Sequence, residues 1–147
     1  MAAPAKPPAP APRPTPDESP QQMMAQLDLL QRELQRRDRQ LQAIEQAVLE
    51  AQQALATVAR LAEGQTDDAL VPVGGGVHIR AKVDGTQPVI VPIGAGYSTE
   101  APAGEAAKAL EERLKSLQRQ FTQASEETER LANAAQNLQA ELQEMGA

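Results

Sequence analysis

A spacing rule used twice constrains this chain more than any other feature. Leu27, Leu30, Leu34, Arg37, Leu41, Ile44, Val48, Ala51, Leu55, Val58 and Ala62 follow one another at alternating steps of three and four residues. Ala107, Leu110, Leu114, Leu117, Phe121, Ala124, Thr128, Leu131, Ala135, Leu138, Leu142 and Met145 do the same. Such steps keep the side chains on one stripe of an α-helix, the seam of a coiled coil. Neither Pro nor Gly interrupts residues 21–63, and Gly64 supplies a stop. Ser19, Pro20 and Gln22 supply a start: a cap, a first helical residue and the closing member of a capping box. At ~1.5 Å per residue the first helix would extend about 65 Å, too far to stand alone in a small domain.

The second periodic stretch offers a partner of nearly equal length, as a hairpin of two helices requires. Ala62 near Ala107 puts later layers in order: Val58 with Leu110, Leu55 with Leu114, Ala51 with Leu117, Val48 with Phe121. Small residues then often face large ones, which fills a narrow seam. Arg37, the one polar member of the first stripe, would face Leu131 and turn its charged head outward. Two helices pairing with other chains would show the same heptads, so the intramolecular register is an expectation. The fold class expected is mainly α: a long antiparallel coiled-coil hairpin, with helices over 20–64 and 103–145.

Composition agrees with a thin seam. One Tyr, one Phe and no Trp leave little material for a thick globular core, and Ala, Gln, Glu, Leu and Arg dominate, as in long helices. The net charge of −6 argues against a general nucleic-acid binder. With no Cys and a single His there is no disulfide and no His- or Cys-based metal site, and no cofactor is expected. No apolar run approaches a membrane span and no signal-peptide core is visible, so a soluble cytoplasmic protein is expected. Eight of the twelve prolines lie in the first 20 residues, so residues 1–19 are expected to form a disordered or polyproline-like tail. Residues 20–147 would form the domain.

Residues 65–102 change character. Leu70-Val71-Pro72-Val73, Val77 to Val83, Pro88 to Ile93 and Tyr97-Ser98-Thr99 read as strands; Gly74-Gly75-Gly76, Asp84-Gly85 and Gly94-Ala95-Gly96 read as turns. Two β-hairpins result. Four short strands bury little and leave their edges unprotected. Their apolar residues Leu70, Val71, Val73, Val77, Ile79, Val89, Val91 and Ile93 are therefore the expected oligomer interface. Pro72 and Pro92 should sit at edges or strand ends.

Chemistry-bearing motifs are few. Gly94-Ala95-Gly96 lacks the third glycine and the prompt helix of a dinucleotide loop, and reads as a turn. His78 lies between Val77 and Ile79 on a strand, with no partner for catalysis or metal binding; a surface or interface histidine is the plain reading. There is no nucleophile–base pair and no phosphate loop, so no enzyme is expected. Arg32, Arg36, Arg37 and Arg39 lie at about the height of Glu126, Glu127 and Glu129 on the other helix, so cross-helix ion pairs are expected. At the helix ends the register pairs Leu30 with Leu138, Leu27 with Leu142 and Met24 with Met145, with Met23 beside them. Large flexible apolar side chains there would suit a binding surface for varied partners. The same residues would also serve simply to close the coiled coil.

The order of long helix, two β-hairpins and long helix resembles the alpha-type subunit of prefoldin, the GimC family. The resemblance is carried by Leu70-Val71-Pro72-Val73-Gly74-Gly75-Gly76, by Val91-Pro92-Ile93-Gly94-Ala95-Gly96-Tyr97-Ser98-Thr99-Glu100, and by the helix opening Glu105 to Leu114. It covers residues 21–145. Pro92 in a strand, Pro102 in place of a Ser or Thr cap and the Pro-rich tail depart from the pattern.

The resemblance implies an ATP-independent chaperone, a hexamer of two alpha-type and four beta-type subunits whose hairpins form a β-barrel platform. It implies that coiled-coil tips grip non-native polypeptides and deliver them to a group II chaperonin. Carried onto this chain, the client-binding candidates are Met23, Met24, Leu27, Leu30, Leu138, Leu142 and Met145. Several weak tips on one platform would act together through effective concentration. A structural scaffold or tether, oligomerising through the β segment, is the competing reading. An adaptor of the membrane-fusion type has β halves flanking the helices, the reverse of the order here.

Overall fold

A computed structural model describes residues 19–64 and 68–146 of this chain. Most of the expected tail, residues 1–18, lies outside the described residues, as do 65–67 within the β segment. The element order is α1 (Pro20–Ala62), β1 (Asp68–Gly74), β2 (Val77–Lys82), β3 (Val89–Gly94), β4 (Tyr97–Ala101) and α2 (Ala103–Glu144). No peptide bond is cis among the described residues.

The ends of α1 form as its sequence signals specify. The Ser19 N–H donates to Gln22 Oε1 at 3.1 Å and the Gln22 N–H donates to Ser19 Oγ at 3.4 Å, closing a capping box. After Ala62 the chain turns through Gly64, at φ +78°, whose N–H donates to the Leu61 carbonyl at 3.0 Å. A left-handed residue just past the last turn satisfies carbonyls that would otherwise lack donors. The α2 helix starts directly after Pro102, whose carbonyl accepts the Ala106 N–H at 3.0 Å. Proline has no N–H to lose at that position, so it replaces a hydroxyl cap without breaking the ladder.

The seam follows the alternating steps closely. Along α1, every expected position from Leu27 to Val58 is buried or half-buried, while most neighbours are exposed. Along α2 the same holds from Leu110 to Leu142, apart from Phe121 at the margin of exposure. The expected ends differ. Ala62 is exposed and Leu61 takes its place, whereas Ala107 is half-buried as expected, with Ala103 and Ala106 buried ahead of it. An ideal helix drifts about 20° per heptad against a strict seven-residue repeat. Near the strands the buried stripe of α1 moves to Leu61, which shares a groove with Asp68, Ala69 and Val83. Met23 shows the same kind of shift: it is only 6% exposed, four residues before Leu27, so the seam continues through it rather than through Met24.

The described residues form two compact units. In the unit of residues 38–126, α1 and α2 lie side by side, with Val48 and Leu49 sharing a groove of about 360 Å³ with Gln118 and Phe121. In the other unit, Arg37 of α1 reaches Glu127 of α2.

The strands make two separate two-stranded antiparallel sheets, β1 with β2 and β3 with β4. They are copies of one backbone design. Val71 pairs with Ile79, Pro72 with His78 and Gly74 with Val77; Val91 pairs with Thr99, Pro92 with Ser98 and Gly94 with Tyr97. Each register slips at the same place, between Pro72 and Gly74 and between Pro92 and Gly94. Both central turn residues have positive φ in each hairpin, Gly75 and Gly76 in the first and Ala95 and Gly96 in the second. That is the signature of a type I′ turn, whose twist matches the strands it joins.

Between the hairpins, Asp84 forms a local turn. Its Oδ1 accepts the Thr86 N–H at 2.9 Å and the Thr86 hydroxyl at 2.7 Å. These donors hold the Asp84 carboxyl below its ordinary range, the hydroxyl contributing most. Gly85 then passes close to the last turn of α1: a Cβ there would lie 2.4 Å from the Leu61 carbonyl oxygen.

Candidate binding surfaces

Alternation along the strands sorts the expected interface residues by face. In the first hairpin Ala69, Val71, Val77, Ile79 and Ala81 fall on one face, and Asp68, Leu70, Pro72, His78, Arg80 and Lys82 on the other. The first set is apolar throughout. Only Ala69 and Ala81, at the base, are half-buried; Val71, Val77 and Ile79 stand open, as do Leu70 and Val73. In the second hairpin Val89 and Val91 share a face with Thr99 and Ala101. Val89, Val91 and Ala101 are half-buried within the chain, and Ile93 is exposed. The expected interface set thus divides into residues the chain covers in part and residues it leaves open.

Two residues outside that set are among the most exposed. Ile90 is 73% exposed and Tyr97, the only tyrosine, is 71% exposed. Ile90 carried a signal, since it lies inside an unbroken apolar run, Val89-Ile90-Val91. Among the described residues, the outer edges of both two-stranded sheets also have no partner strand. Unpaired edges and open apolar faces together make a surface suited to strand pairing and burial.

At the helix ends the candidate client-binding residues separate in the same way. Leu27, Leu30, Leu138 and Leu142 are half-buried seam members. Met24, at 63% exposure, and Met145 are open. Met23, by contrast, is packed as a seam residue and is almost wholly covered. Leu29, which lies off the seam and outside the expected set, is as exposed as Met24.

A polar layer interrupts the apolar seam at Arg37. Its Nε donates to Glu33 Oε1 at 2.9 Å, and its Nη1 donates to Glu127 Oε2 at 2.6 Å. Arg36 donates a second bond to Glu33 Oε1 at 2.9 Å. The Arg37 side chain is 26% exposed, so its stem is covered while its guanidinium spans two carboxylates. The hydrogen bond from Arg37, then that from Arg36, holds the Glu33 carboxyl below its ordinary range; Glu33 and Glu127 raise the Arg37 guanidinium. The expected cross-helix ion pairing is present here. Arg32 bonds Asp28 and Arg36 bonds Glu33, both on their own helix.

His78 lies exposed on β2, with Nδ1 3.1 Å from the Gly76 carbonyl. Among the described residues, no three His, Cys, Asp or Glu side chains come together as a metal ligand set, and no helix is long and apolar enough to cross a membrane.

The family model described as Prefoldin subunit matches residues 30–147. The chain belongs to the prefoldin family. Prefoldin subunit alpha of Methanosarcina barkeri is 30% identical over 78% of this chain and 83% of its own length. Prefoldin subunit alpha of Methanoculleus marisnigri is 34% identical over 71% of this chain and 70% of its own. Among solved structures, filamentous PFD from Methanocaldococcus jannaschii is 27% identical, covering 82% of this chain and 95% of that one, with a TM-score of 0.47. The Methanosarcina barkeri and Methanoculleus marisnigri relatives both carry the alpha designation. Membership makes this chain a subunit of a chaperone that assembles with other prefoldin subunits.

Proposed function

We propose that this prefoldin subunit acts without ATP, binding non-native polypeptides at its helix ends and delivering them to a group II chaperonin in the cytoplasm. Its partners in this reading are beta-type subunits, two alpha and four beta chains joined through their hairpins in a β-barrel platform. Leu70, Val71, Val73, Val77, Ile79 and Ile93 supply the interface, with Val89 and Val91 partly covered beneath it. Met24 and Met145 do the gripping, supported by Leu27, Leu30, Leu138 and Leu142.

The observation that supports this reading most is where exposed apolar side chains are spent. A chain with one Phe, one Tyr and no Trp keeps large apolar residues open at its strands and its helix ends. Open strand faces favour assembly. Thioether side chains adapt to clients of differing shape, and each contact is weak enough to release.

The test uses the assembled complex with a beta-type subunit and follows aggregation of a chemically unfolded protein. Met24→Ser with Met145→Ser should weaken suppression while leaving the assembled mass unchanged in native mass spectrometry. Met23→Leu, which keeps the seam apolar, should behave as the parent. A chain that stays monomeric beside the beta-type subunit would overturn the assembly. Undiminished suppression by the double variant would overturn the client site. Binding of one folded partner with no preference for unfolded chains would favour the scaffold.

A further inference from the structure

The polar layer has a consequence for how the helices choose each other. Two long heptad stripes of Leu, Ala, Ile and Val fit together almost as well after a slip of one heptad, because apolar packing repeats every seven residues. The Arg37 contacts do not repeat. In the observed register Arg37 stands beside Glu127, with Glu126 and Glu129 on the same turn. A slip of seven residues one way puts Asn133, Ala134 and Gln136 in the places of Glu126, Glu127 and Glu129. A slip the other way puts Arg119, Gln120 and Thr122 there. Neither substitute trio contains a carboxylate, and one adds a positive charge. Glu33 would travel with Arg37 on the same helix, so only the cross-helix half of the contact senses register.

The same layer discriminates against α1 pairing with α1 of another copy in parallel. In that arrangement Arg37 meets its own equivalent across the seam, cation against cation. A half-covered guanidinium without its cross-helix carboxylate is costly, whereas the apolar layers are indifferent.

We propose that Arg37, through its bond to Glu127, is the specificity-determining residue that locks α1 to α2 of the same chain in a single register. It does so by penalising the alternatives, and the stability of the correct pairing does not depend on it.

The native chain has no cysteine, so engineered pairs report register cleanly. Cysteines at positions 48 and 121 read the observed register; cysteines at 48 and 114, or 48 and 128, read the two slips. The full chain carrying each pair is oxidised mildly, and the linked fractions are compared with and without Arg37→Leu. The parent should link almost only through 48–121. Arg37→Leu should raise the slipped fractions by about tenfold, roughly 1.4 kcal/mol of lost discrimination. Its helical circular dichroism and melting temperature should be no lower than the parent's, since an apolar residue fits the seam. Glu127→Gln should raise the same fractions by a smaller factor, and Arg37→Lys, which keeps a cation, should restore most of the preference. Slipped fractions unchanged by Arg37→Leu, in a chain that keeps its helicity, would overturn the proposal. So would a parent that links equally through all three pairs.

Discussion

The two β-hairpins share a backbone and differ in what they show to solvent. Val71-Pro72-Val73-Gly74-Gly75-Gly76-Val77 and Val91-Pro92-Ile93-Gly94-Ala95-Gly96-Tyr97 follow the same pairing, the same register slip and the same pair of positive-φ turn residues. Their second strands then diverge. Ile79 and Val77 keep one face of the first hairpin apolar, while Thr99, Ser98 and Glu100 make β4 largely polar. Part of the apolar face of the second hairpin is already covered by its own chain, and that of the first is mostly open. The duplicated part is the turn, which sets strand direction and twist. The faces are free to specialise, so the first hairpin should contribute more to assembly than the second.

The largest expected effect lies at the joint between them. Gly85 approaches the last turn of α1 so closely that a Cβ would sit 2.4 Å from the Leu61 carbonyl oxygen. That neighbour is backbone and cannot rotate away. Gly85→Ala should therefore destabilise the chain by about 2–3 kcal/mol, the scale of overpacking at a close contact. A thermal melt of the full chain reads it as a fall of several degrees. A melt within a degree of the parent would mean the joint moves freely, and the two hairpins are not held by it.

The faces themselves give the next effect. Ile79→Asp places a charge in the open apolar face of the first hairpin, and Thr99→Asp places one at the equivalent position of the second. Burying an unpaired carboxylate is costly, whereas adding one to a polar strand is not. Ile79→Asp should weaken association with a beta-type subunit by at least about tenfold, some 1.4 kcal/mol. Thr99→Asp should cost much less. Titration followed by native mass spectrometry measures both, and equal losses would remove the proposed division of labour.

The sequence reveals the helices far more fully than the surfaces. Alternating steps of three and four identify Leu27 to Val58 and Leu110 to Leu142 because helical burial repeats locally and needs no knowledge of the partner. Ser19 and Gln22 likewise declare the start of α1 through contacts three residues apart. Where burial depends on distant chain, the pattern misleads. Leu61 replaces Ala62, Ala103 and Ala106 extend the buried stripe ahead of Ala107, and Met23 rather than Met24 carries on the seam. In the strands, a period of two assigns residues to faces but cannot say which is covered: Val89 and Val91 are half-buried where Val71, Val77 and Ile79 stand open. The turn glycines were legible; the close approach of Gly85 to Leu61 was not, because no residue pattern announces it.

The smallest effect isolates the turns. Gly75 and Ala95 occupy the same turn position, at φ +57° and +51°. Ala95 is the one non-glycine residue with positive φ among the described residues. A side chain in that region costs roughly 1–2 kcal/mol from the clash of Cβ with its own backbone. Glycine avoids the clash but loses roughly 0.5–1 kcal/mol in chain entropy on folding. The balance favours glycine by about 0.5–1 kcal/mol. Ala95→Gly should thus stabilise the second hairpin, and Gly75→Ala should destabilise the first by a similar amount. Nothing lies within 4 Å of a Cβ built at Gly75, so no packing change obscures the comparison. Amide hydrogen exchange in β1–β2 and in β3–β4 separates the two hairpins, which a melt of the whole chain would not. Opposite shifts of similar size would make the turns equivalent in energy as well as in shape. A loss at Gly75 without a gain at Ala95 would mean that the second hairpin has adapted its strands to the strained residue.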